Sequence, residues 1–276
     1  FREQYRAFPA MIPLMYRVKA AEQAVEYDLE TGDSGTVPEF NGEISYDDIQ
    51  EGYKKSVSER EYAYGIKITR RLLRNDLYGV IQDKTASLAD SFRALRETRG
   101  AYPFNNAFGT FTVGDGLSLC NAAHTSKVGG SNQSNAGSLA FSAPNVFATE
   151  LAFKKLKTNR DNIMWNIPDT LLIPMEHTEK AYEILKSVGK VDVNLNNRNY
   201  LEGRYKCIIW DNFLTSSTNW FMMNSAMMKK KLIWREWEPV QFFRTGEFDT
   251  MVLKMAGYTS FEVSTVEWRW IYGHNV

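Results

Sequence analysis

The sequence predicts a mixed α+β fold with a substantial hydrophobic core. Two segments, residues 25–29 and 62–68, alternate apolar and polar residues with the period of a β-strand. From residue 69 onward, apolar residues instead recur at steps of three and four, which predicts a long amphipathic helix. The chain has 276 residues, of which 43% are hydrophobic, and this is enough for one or two packed domains.

The composition narrows the class of protein. The chain carries 33 basic and 33 acidic residues, so it lacks the basic excess of a dedicated nucleic-acid binder, and any DNA contact should be local and weak. Its cysteines, Cys120 and Cys207, are too few for a disulfide framework, which is typical of a reducing cytosol. Because we find neither a membrane-length apolar run nor a signal peptide, we expect a soluble protein made in the cytoplasm, without a membrane partner. The chain begins at Phe1, so we expect that residues precede it in the gene product or were removed from it.

The N-terminal segments contain little that could form a core. Residues 1–20 mix aromatic residues, methionines and prolines without a helical or strand period, so we expect an extended arm that needs a partner surface. Residues 25–29 and 62–68 are predicted to form the two strands of a hairpin, with a charged, glycine-containing insertion at about 30–60 between them. An excursion of this length is uncommon in a compact domain unless it has a function. It is either a mobile surface loop or an arm that reaches another subunit.

One helix is predicted to be long for a globular protein. Its apolar positions are Leu73, Leu77, Val80, Ile81, Leu88, Phe92 and Leu95. About 30 residues at ~1.5 Å per residue give a length of roughly 45 Å. Gly79 lies inside the pattern and costs about 1 kcal/mol relative to alanine, which favours a kink there. Gly100 and Pro103 are predicted to end the helix.

The remainder is predicted to combine short elements with one long loop. Residues 113–143 are rich in Gly, Ser and Asn and should form a polar loop. Helices are predicted at 145–157 and 178–187, and strands at 170–173, 207–210, 220–223, 232–237 and 251–255. A final strand is predicted from the alternation of Val266, Trp268, Trp270 and Tyr272, whose wide rings indicate a core or an interface.

Residues 115–124 place a carboxylate, a thiol and an imidazole close together in the sequence. Asp115, Cys120 and His124 could form a Cys–His catalytic pair with an orienting acid. They lie in one polar loop, however, whereas catalytic partners normally converge from distant segments. As metal ligands, Cys120 and His124 would need two more partners, and the remaining imidazoles are His177 and His274. We therefore predict neither a catalytic site nor a metal site here.

Other motifs also lack a required part. Residues 129–131 read Gly-Gly-Ser but miss the lysine of a phosphate-binding loop, and no glycine-rich fingerprint opens a helix. The basic clusters at residues 154–157 and 229–231 are predicted to be solvated faces, with phosphate contact as the alternative. We predict no cofactor and no enzymatic activity.

The order of these parts resembles that of a known family. An arm, a long two-stranded loop, one very long helix, a mixed α/β domain and a return through aromatic strands follow one another as in tailed-phage major capsid proteins of the Hong Kong 97 type fold. The chain resembles the Mu-like major head subunit family in more detail. The matching residues are Asp115, Gly116, Leu119, His124, Asn135, Ser138 and Leu139, then residues 171–174 with Ala181, and finally Asn196, Leu214, Trp220 and Phe221. The match spans nearly the whole chain and departs from the family at Cys120, where phenylalanine is usual.

This resemblance implies a division of the chain. Residues 1–21 would form an N-terminal arm, and residues 22–65 an extended loop that lies over a neighbouring subunit. Residues 66–112 and 229–276 would form a peripheral domain around the long helix, and residues 113–228 an axial domain clustered around five- and six-fold centres. Segments too poor in apolar residues to fold alone can be stabilised when they add strands and side chains to a partner.

The resemblance further implies a structural role: a major capsid subunit that self-assembles as pentamers and hexamers into an icosahedral phage head around double-stranded DNA. Its main partner would be itself, DNA would make weak non-specific contacts, and portal, scaffold and decoration proteins are further candidate partners. It would reside in the virion after assembly in the host cytoplasm. Intersubunit contacts are predicted at Tyr5, Phe8, Tyr46, Tyr53, Arg60, Phe243, Arg244, Glu247 and Phe248. The alternatives are an encapsulin-like compartment with protein cargo, and a hydrolase that uses Cys120 and His124.

Overall fold

A computed structural model describes residues 10–48, 50–75, 79–189 and 198–276 of the chain. The predicted contact residues Tyr5 and Phe8, the helix position Leu77 and the motif residue Asn196 lie outside these described residues. The chain divides into two compact units, each built from separated stretches of sequence. Unit 1 comprises Phe1–Glu26, Val57–Gly100 and Ile233–Ser264, and unit 2 comprises Tyr27–Ser56, Ala101–Leu232 and Thr265–Val276.

Helices and strands are interspersed along the chain, as expected for an α+β fold. The helices are α1 (Ile12–Met15), α2 (Arg70–Arg74), α3 (Val80–Asn105), α4 (Ala143–Lys154), α5 (Thr178–Lys186) and α6 (Ser225–Lys231). The strands are β1 (Arg17–Ala20), β2 (Val25–Thr31), β3 (Glu51–Ser58), β4 (Glu61–Thr69), β5 (Ala136–Gly137), β6 (Thr170–Ile173), β7 (Lys206–Ile209), β8 (Trp220–Met223), β9 (Ile233–Glu247), β10 (Val252–Ser264) and β11 (Ile271–His274). Within the described ranges, no helix is both long enough and apolar enough to cross a membrane.

Unit 1 contains a four-stranded sheet in the order β1-β9-β10-β4. β1 runs parallel to β9, and β10 is antiparallel to both β9 and β4. The register of β10 with β4 runs from Val252 opposite Thr69 to Ser260 opposite Glu61. The predicted strands at 232–237 and 251–255 are therefore short parts of two long strands that pair with each other.

The predicted hairpin between residues 25–29 and 62–68 is wrong, although both segments are strands. β2 pairs instead with β3, which lies inside the predicted insertion, and β4 pairs with β10. Alternation predicts a strand but not its partner, which long-range packing selects. In β2 the alternation is also inverted, because Asp28 and Glu30 are buried while Tyr27 and Leu29 are exposed.

Two helices lie in the stretch that was predicted as one. α2 ends at Arg74, and α3 begins directly after Gly79, whose φ of +70° favours glycine. In unit 1, Leu88 and Phe92 of α3 pack in one cluster with sheet residues such as Met255. This cluster accounts for the helical spacing of the apolar residues.

The predicted helix end at Gly100 and Pro103 is wrong. α3 continues to Asn105 and contains Pro103 near its C-terminus. Ala101 and Phe104 on the same stretch are buried. Helices in proteins depend mainly on tertiary packing, so the burial of these two side chains outweighs the hydrogen bond that Pro103 cannot donate.

Unit 2 contains a five-stranded sheet in the order β5-β11-β8-β6-β7. All four side chains of β6 are buried, which fits the run of three apolar residues, Leu171 to Ile173, that follows Thr170. The predictions of strands at 170–173, 207–210 and 220–223 and of helices at 145–157 and 178–187 are confirmed within a few residues by β6, β7, β8, α4 and α5. Their core cluster contains Phe141, Val146, Phe153, Leu171, Ile173, Ala181, Ile184, Leu185, Leu201, Tyr205, Trp220 and Met222.

The C-terminal strand is shorter than predicted. β11 begins at Ile271, and residues 265–270 form an irregular segment in which Val266, Trp268 and Trp270 are buried. The Glu267 carboxylate accepts hydrogen bonds from the N–H groups of Trp268 and Arg269, each at 3.2 Å. These contacts hold the segment in a turn, so the alternation of wide rings here reflects packing around a turn rather than a strand.

Candidate functional site: a buried polar network and the exposed loops

The three residues that suggested a catalytic centre do not act as one in the structure. His124 is buried, with its Nδ1 2.6 Å from Oδ2 of Asp115 and its Nε2 3.1 Å from Oδ1 of Asn135. Its ring stacks on Trp268 with a centroid distance of 4.2 Å and an interplanar angle of 8°. Both ring nitrogens thus lie within hydrogen-bond distance of a side-chain oxygen, and the imidazole is not directed at the Cys120 thiol.

Asp115 is held as a carboxylate. Burial by itself would raise the pKa of Asp115, but the hydrogen bond with His124 and the one donated by the N–H of Leu117 together bring it below its usual value. The second carboxylate oxygen, Oδ1, accepts from the N–H of Leu117 at 3.0 Å, so both oxygens of this buried carboxylate have a partner, as buried charges require.

Asn135 links the polar loop to the end of the chain. Its Nδ2 donates to the carbonyls of Leu119 at 2.9 Å and Ile271 at 3.1 Å. Its Oδ1 accepts from the N–H of Asn121 at 2.8 Å. The sequence identified Asn135 only as a family position, and the structure gives it a physical role: it satisfies the backbone of the otherwise irregular loop at 113–143.

Cys120 is a core residue. It is 2% exposed, its N–H donates to Ala107 at 2.7 Å, and a Cβ built on Gly273 would lie only 2.6 Å from its Sγ. Burial raises the pKa of the Cys120 thiol far above its usual value, whereas a nucleophilic cysteine needs a lowered pKa and access to solvent. Among the described residues, no group of three His, Cys, Asp or Glu side chains could hold a metal ion.

A second buried polar cluster was not predicted from the sequence. The guanidinium of Arg269 lies 2.8 Å from Glu267 and 3.5 Å from Glu30, while its Nε donates to the carbonyl of Lys157 at 2.8 Å. Asn159 donates to Glu30 at 2.7 Å. Burial, followed by the charge of Glu267, raises the pKa of Glu30. The sequence shows Asp28 and Glu30 in β2 only as the polar residues of an alternating strand, and such residues normally face solvent.

The loop after β2 is attached to its own unit at residues 160–162. Arg160 forms an ion pair with Asp47, and Asp47 also accepts from the N–H of Gly35 at 2.7 Å. Asn162 donates to Asp33 at 2.9 Å and accepts from Thr36 at 2.9 Å. Beyond these anchors the loop exposes large apolar side chains at Val37, Phe40, Ile44 and Tyr46.

The predicted intersubunit contact residues that the structure describes belong to three parts of the chain. Tyr46 in the loop is 87% exposed, and Tyr53 in β3 is half-buried with its hydroxyl 2.8 Å from Thr125 Oγ1. Arg60 precedes β4 and pairs with Glu262 at 2.9 Å. Around the β9–β10 turn, Phe243, Arg244 and Phe248 are exposed, and Glu247 pairs with Lys254 at 2.7 Å. Tyr46 and Tyr53 belong to unit 2, and Arg60 and the residues around the β9–β10 turn belong to unit 1.

Comparison with protein-family models identifies the family. The model described as phage capsid protein matches residues 52–273. This stretch is well over half of the chain, so the chain belongs to that phage capsid protein family. A comparison with curated proteins finds no significant match.

Solved capsid structures share the fold. One match is to the asymmetric unit of the bacteriophage PhiM1 mature capsid, with 9% sequence identity and a TM-score of 0.63. The matched region covers 97% of the present chain and 87% of the PhiM1 chain. A second match is to the capsid of a native GTA particle, with 12% identity and a TM-score of 0.58, over 95% of the present chain and 88% of the GTA chain. A third match is to a virus-like particle from Pyrococcus furiosus, with 9% identity and a TM-score of 0.57, over 99% of the present chain and 95% of the Pyrococcus chain.

The fold is therefore of the Hong Kong 97 type, and with the family match it defines the class of protein. The chain is a major capsid protein, the structural subunit of a phage head shell made of copies of itself, and its place is the capsid of the virion. The family match favours this role over the encapsulin-like compartment. The finer assignment to the Mu-like head subunits stays a prediction.

Proposed function

We propose that this chain assembles as pentamers and hexamers into a closed icosahedral head that encloses double-stranded DNA. The observation that carries the proposal, beyond the family, is the number of large apolar side chains that folding leaves exposed, with Tyr46, Phe248 and Trp165 all more than four-fifths exposed. Large exposed apolar surfaces on a folded protein mark sites of protein association. In a shell, each copy would cover these surfaces with its neighbours.

The proposed division of labour follows the stretches of sequence defined above. Residues 66–112 and 229–276 would form the peripheral domain and residues 113–228 the axial domain. The arm at 1–21 and the extended loop at 22–65 would reach neighbouring subunits. The apolar side chains of the loop support this role, because Val37, Phe40 and Ile44 are exposed within a single chain.

Within this proposal, the contact residues act in two groups. Tyr46 and Tyr53 belong to the extended loop, and Phe243, Arg244, Glu247 and Phe248 lie around the β9–β10 turn. Tyr5, Phe8 and Arg60 complete the set. The aromatic members and arginines are of the types that dominate binding energy in protein interfaces.

Contacts with packaged DNA would be weak and independent of sequence. The formal net charge is zero, so the chain has no overall excess of cations to neutralise phosphates. Neutrality also suits a subunit that must approach many copies of itself without strong repulsion. Portal, scaffold and decoration proteins are the further partners we propose, with assembly in the host cytoplasm and without a catalytic step by this chain.

The cargo tests the proposal against the encapsulin-like alternative. Particles should be purified, treated with nuclease to remove external DNA, and then opened and extracted. We expect protected double-stranded DNA inside the particles that form alongside the phage's other proteins. Shells that hold a defined protein and no protected DNA would instead establish the encapsulin-like role, and absence of shells would contradict both.

A further inference from the structure

Residues 163–167 expose their large apolar side chains and bury a polar one. Ile163, Trp165 and Ile167 are 86%, 92% and 63% exposed, while Asn166 is 2% exposed. A folded chain normally buries a tryptophan and exposes an asparagine. We call Ile163, Trp165 and Ile167 the 163–167 strip.

The inversion is built into the fold by the Asn166 side chain. Its Nδ2 donates to the carbonyl of Arg269 at 2.6 Å, and its Oδ1 accepts from Nδ2 of Asn224 at 2.9 Å. A buried amide with both ends paired resists displacement, because moving it would leave those groups unsatisfied. Rotating the segment to turn Trp165 inward would break both hydrogen bonds of the Asn166 amide, so the paired amide opposes that rotation. The strip is therefore held outward by a fixed backbone.

β2 shows the same inversion and is attached to the same residue. Glu30 is buried beside the guanidinium of Arg269, and Tyr27 and Leu29 on the opposite side of the strand are exposed. Arg269 thus anchors two segments of unit 2, through its guanidinium and through its carbonyl. Each of these two segments buries polar groups and exposes large apolar ones, which is the pattern of a surface that meets a partner.

We propose that the 163–167 strip is a contact surface for a second copy of this chain in the assembled shell. This inference rests on the proposed function and adds to it a partner surface outside the predicted contact residues.

The chemistry of the strip favours a protein copy over DNA. Three apolar side chains offer no cation or hydrogen-bond donor to a phosphate, and protein–DNA interfaces depend on both. A buried aromatic residue surrounded by aliphatic ones is instead typical of the energetic centre of a protein interface.

The position and size of the strip favour a copy of the chain itself. Asn162, the residue before the strip, binds Asp33 and Thr36 of the extended loop that we expect to reach a neighbour. The strip is therefore continuous with a segment already assigned to contacts between copies. Covering the Trp165 side chain alone would bury ~150–250 Å², which is a sizeable share of the ~800 Å² per partner in a standard interface.

The first test is assembly of purified chain with Trp165→Ser beside Trp165→Phe as the matched control. We expect Trp165→Ser to raise the protein concentration at which shells form by about tenfold or more, and Trp165→Phe to raise it by less than about threefold. Unfolding of the isolated subunits should be the same in both variants and the parent, because Trp165 is 92% exposed. Equal assembly of all three proteins would overturn the inference.

The second test identifies the occupant directly. A photo-crosslinking phenylalanine derivative at position 165 should yield covalent dimers of this chain in shells assembled from this chain alone, and none in dilute, unassembled subunits. Normal shells without such dimers, or crosslinks only to a different capsid component in complete particles, would overturn the inference while the capsid function stands. Failure of the parent chain to form any shell would overturn both.

Discussion

The imidazole of His124 and the carboxylate of Asp115 form a buried pair, 2.6 Å apart, with side chains 0% and 1% exposed. In the sequence these two residues and Cys120 suggest chemistry, but in the structure the pair organises a loop. His124 also contacts the Asn135 side chain, and Asn135 in turn forms hydrogen bonds with the backbone of residues 119, 121 and 271. These hydrogen bonds attach a long loop with little regular structure to β11 in the unit 2 sheet.

Replacing Asn135 should loosen that fastening. We expect Asn135→Ala to lower the free energy of unfolding by about 3 kcal/mol, because several buried partners lose their hydrogen bonds at once. Asn132→Ala, in the same loop but exposed, is the control and should change it by less than about 0.5 kcal/mol. Urea unfolding of the isolated subunit measures both, and equal effects of the two substitutions would show that the network has no special role.

His274 should make stability depend on pH. It is buried, its Nδ1 accepts from the N–H of Leu139 at 3.1 Å, and its Nε2 lies 2.8 Å from Oγ1 of Thr149. Burial lowers the pKa of His274 to about 4, so the unfolded chain binds this proton more readily than the folded chain does. The contribution to stability is complete above the usual pKa of about 6.5 and is lost as pH falls from there to about 4.

We expect the loss over that range to be roughly 2–3 kcal/mol. His274→Gln removes the titrating group, so urea unfolding of this variant should depend less on pH between 6.5 and 4 than unfolding of the parent. Other titratable groups, including Glu30 with its raised pKa, are present in both proteins. Parallel pH profiles would show that His274 does not carry the dependence.

The two cysteines should differ in reactivity. Burial raises the pKa of the Cys207 thiol to about 11, and that of the Cys120 thiol still further. Cys207 is half-buried and Cys120 fully buried. We expect iodoacetamide to modify Cys207 at least about tenfold faster in the native subunit, as read by mass spectrometry, and both at similar rates in denaturant.

A faster reaction at Cys120 would reopen the hydrolase alternative. Under the structural role, Cys120→Ser should also leave shell assembly intact. Loss of a measurable hydrolytic activity in this variant would contradict the purely structural role that we propose.

Gly257 provides space for the long helix on the unit 1 sheet. A Cβ at this position would lie 2.3 Å from Cε2 of Phe92 in α3. We expect Gly257→Ala to destabilise the subunit by about 1–3 kcal/mol through overpacking. Gly246→Ala is the matched control on the neighbouring strand, where a Cβ would meet no atom within 4 Å.

A second substitution separates overpacking from a general intolerance of alanine. Phe92→Leu, introduced into Gly257→Ala, should recover part of the lost stability, because the smaller side chain leaves room for the methyl group. Thermal or urea unfolding measures all four proteins. Equal effects of the two glycine substitutions, or no recovery by Phe92→Leu, would contradict this explanation.

Local pattern was sufficient to predict several elements of unit 2. β6 and β8 are short apolar runs with all their side chains buried, and such runs need no knowledge of their partners to be recognised. The fold class and family likewise followed from the order of the elements. The pairing of the strands could not be predicted in this way, because β4 pairs with β10, nearly 200 residues away in the sequence. Alternation within a segment does not indicate which distant strand it pairs with.

The buried polar residues were the hardest to predict. Asp28, Glu30 and Asn166 occupy positions that alternation assigns to solvent, yet each is buried. Glu30 and Asn166 are stabilised there by contacts with Arg269, which lies more than 100 residues further along the chain. A burial pattern set by such distant partners requires the three-dimensional structure.

Electron microscopy of the purified protein tests the central claim most directly. We expect closed polyhedral shells, or five- and six-fold capsomers, since the exposed apolar surfaces need neighbouring copies to cover them. A monodisperse monomer that persists across a wide range of protein and salt concentrations would contradict the claim that this chain builds a phage head.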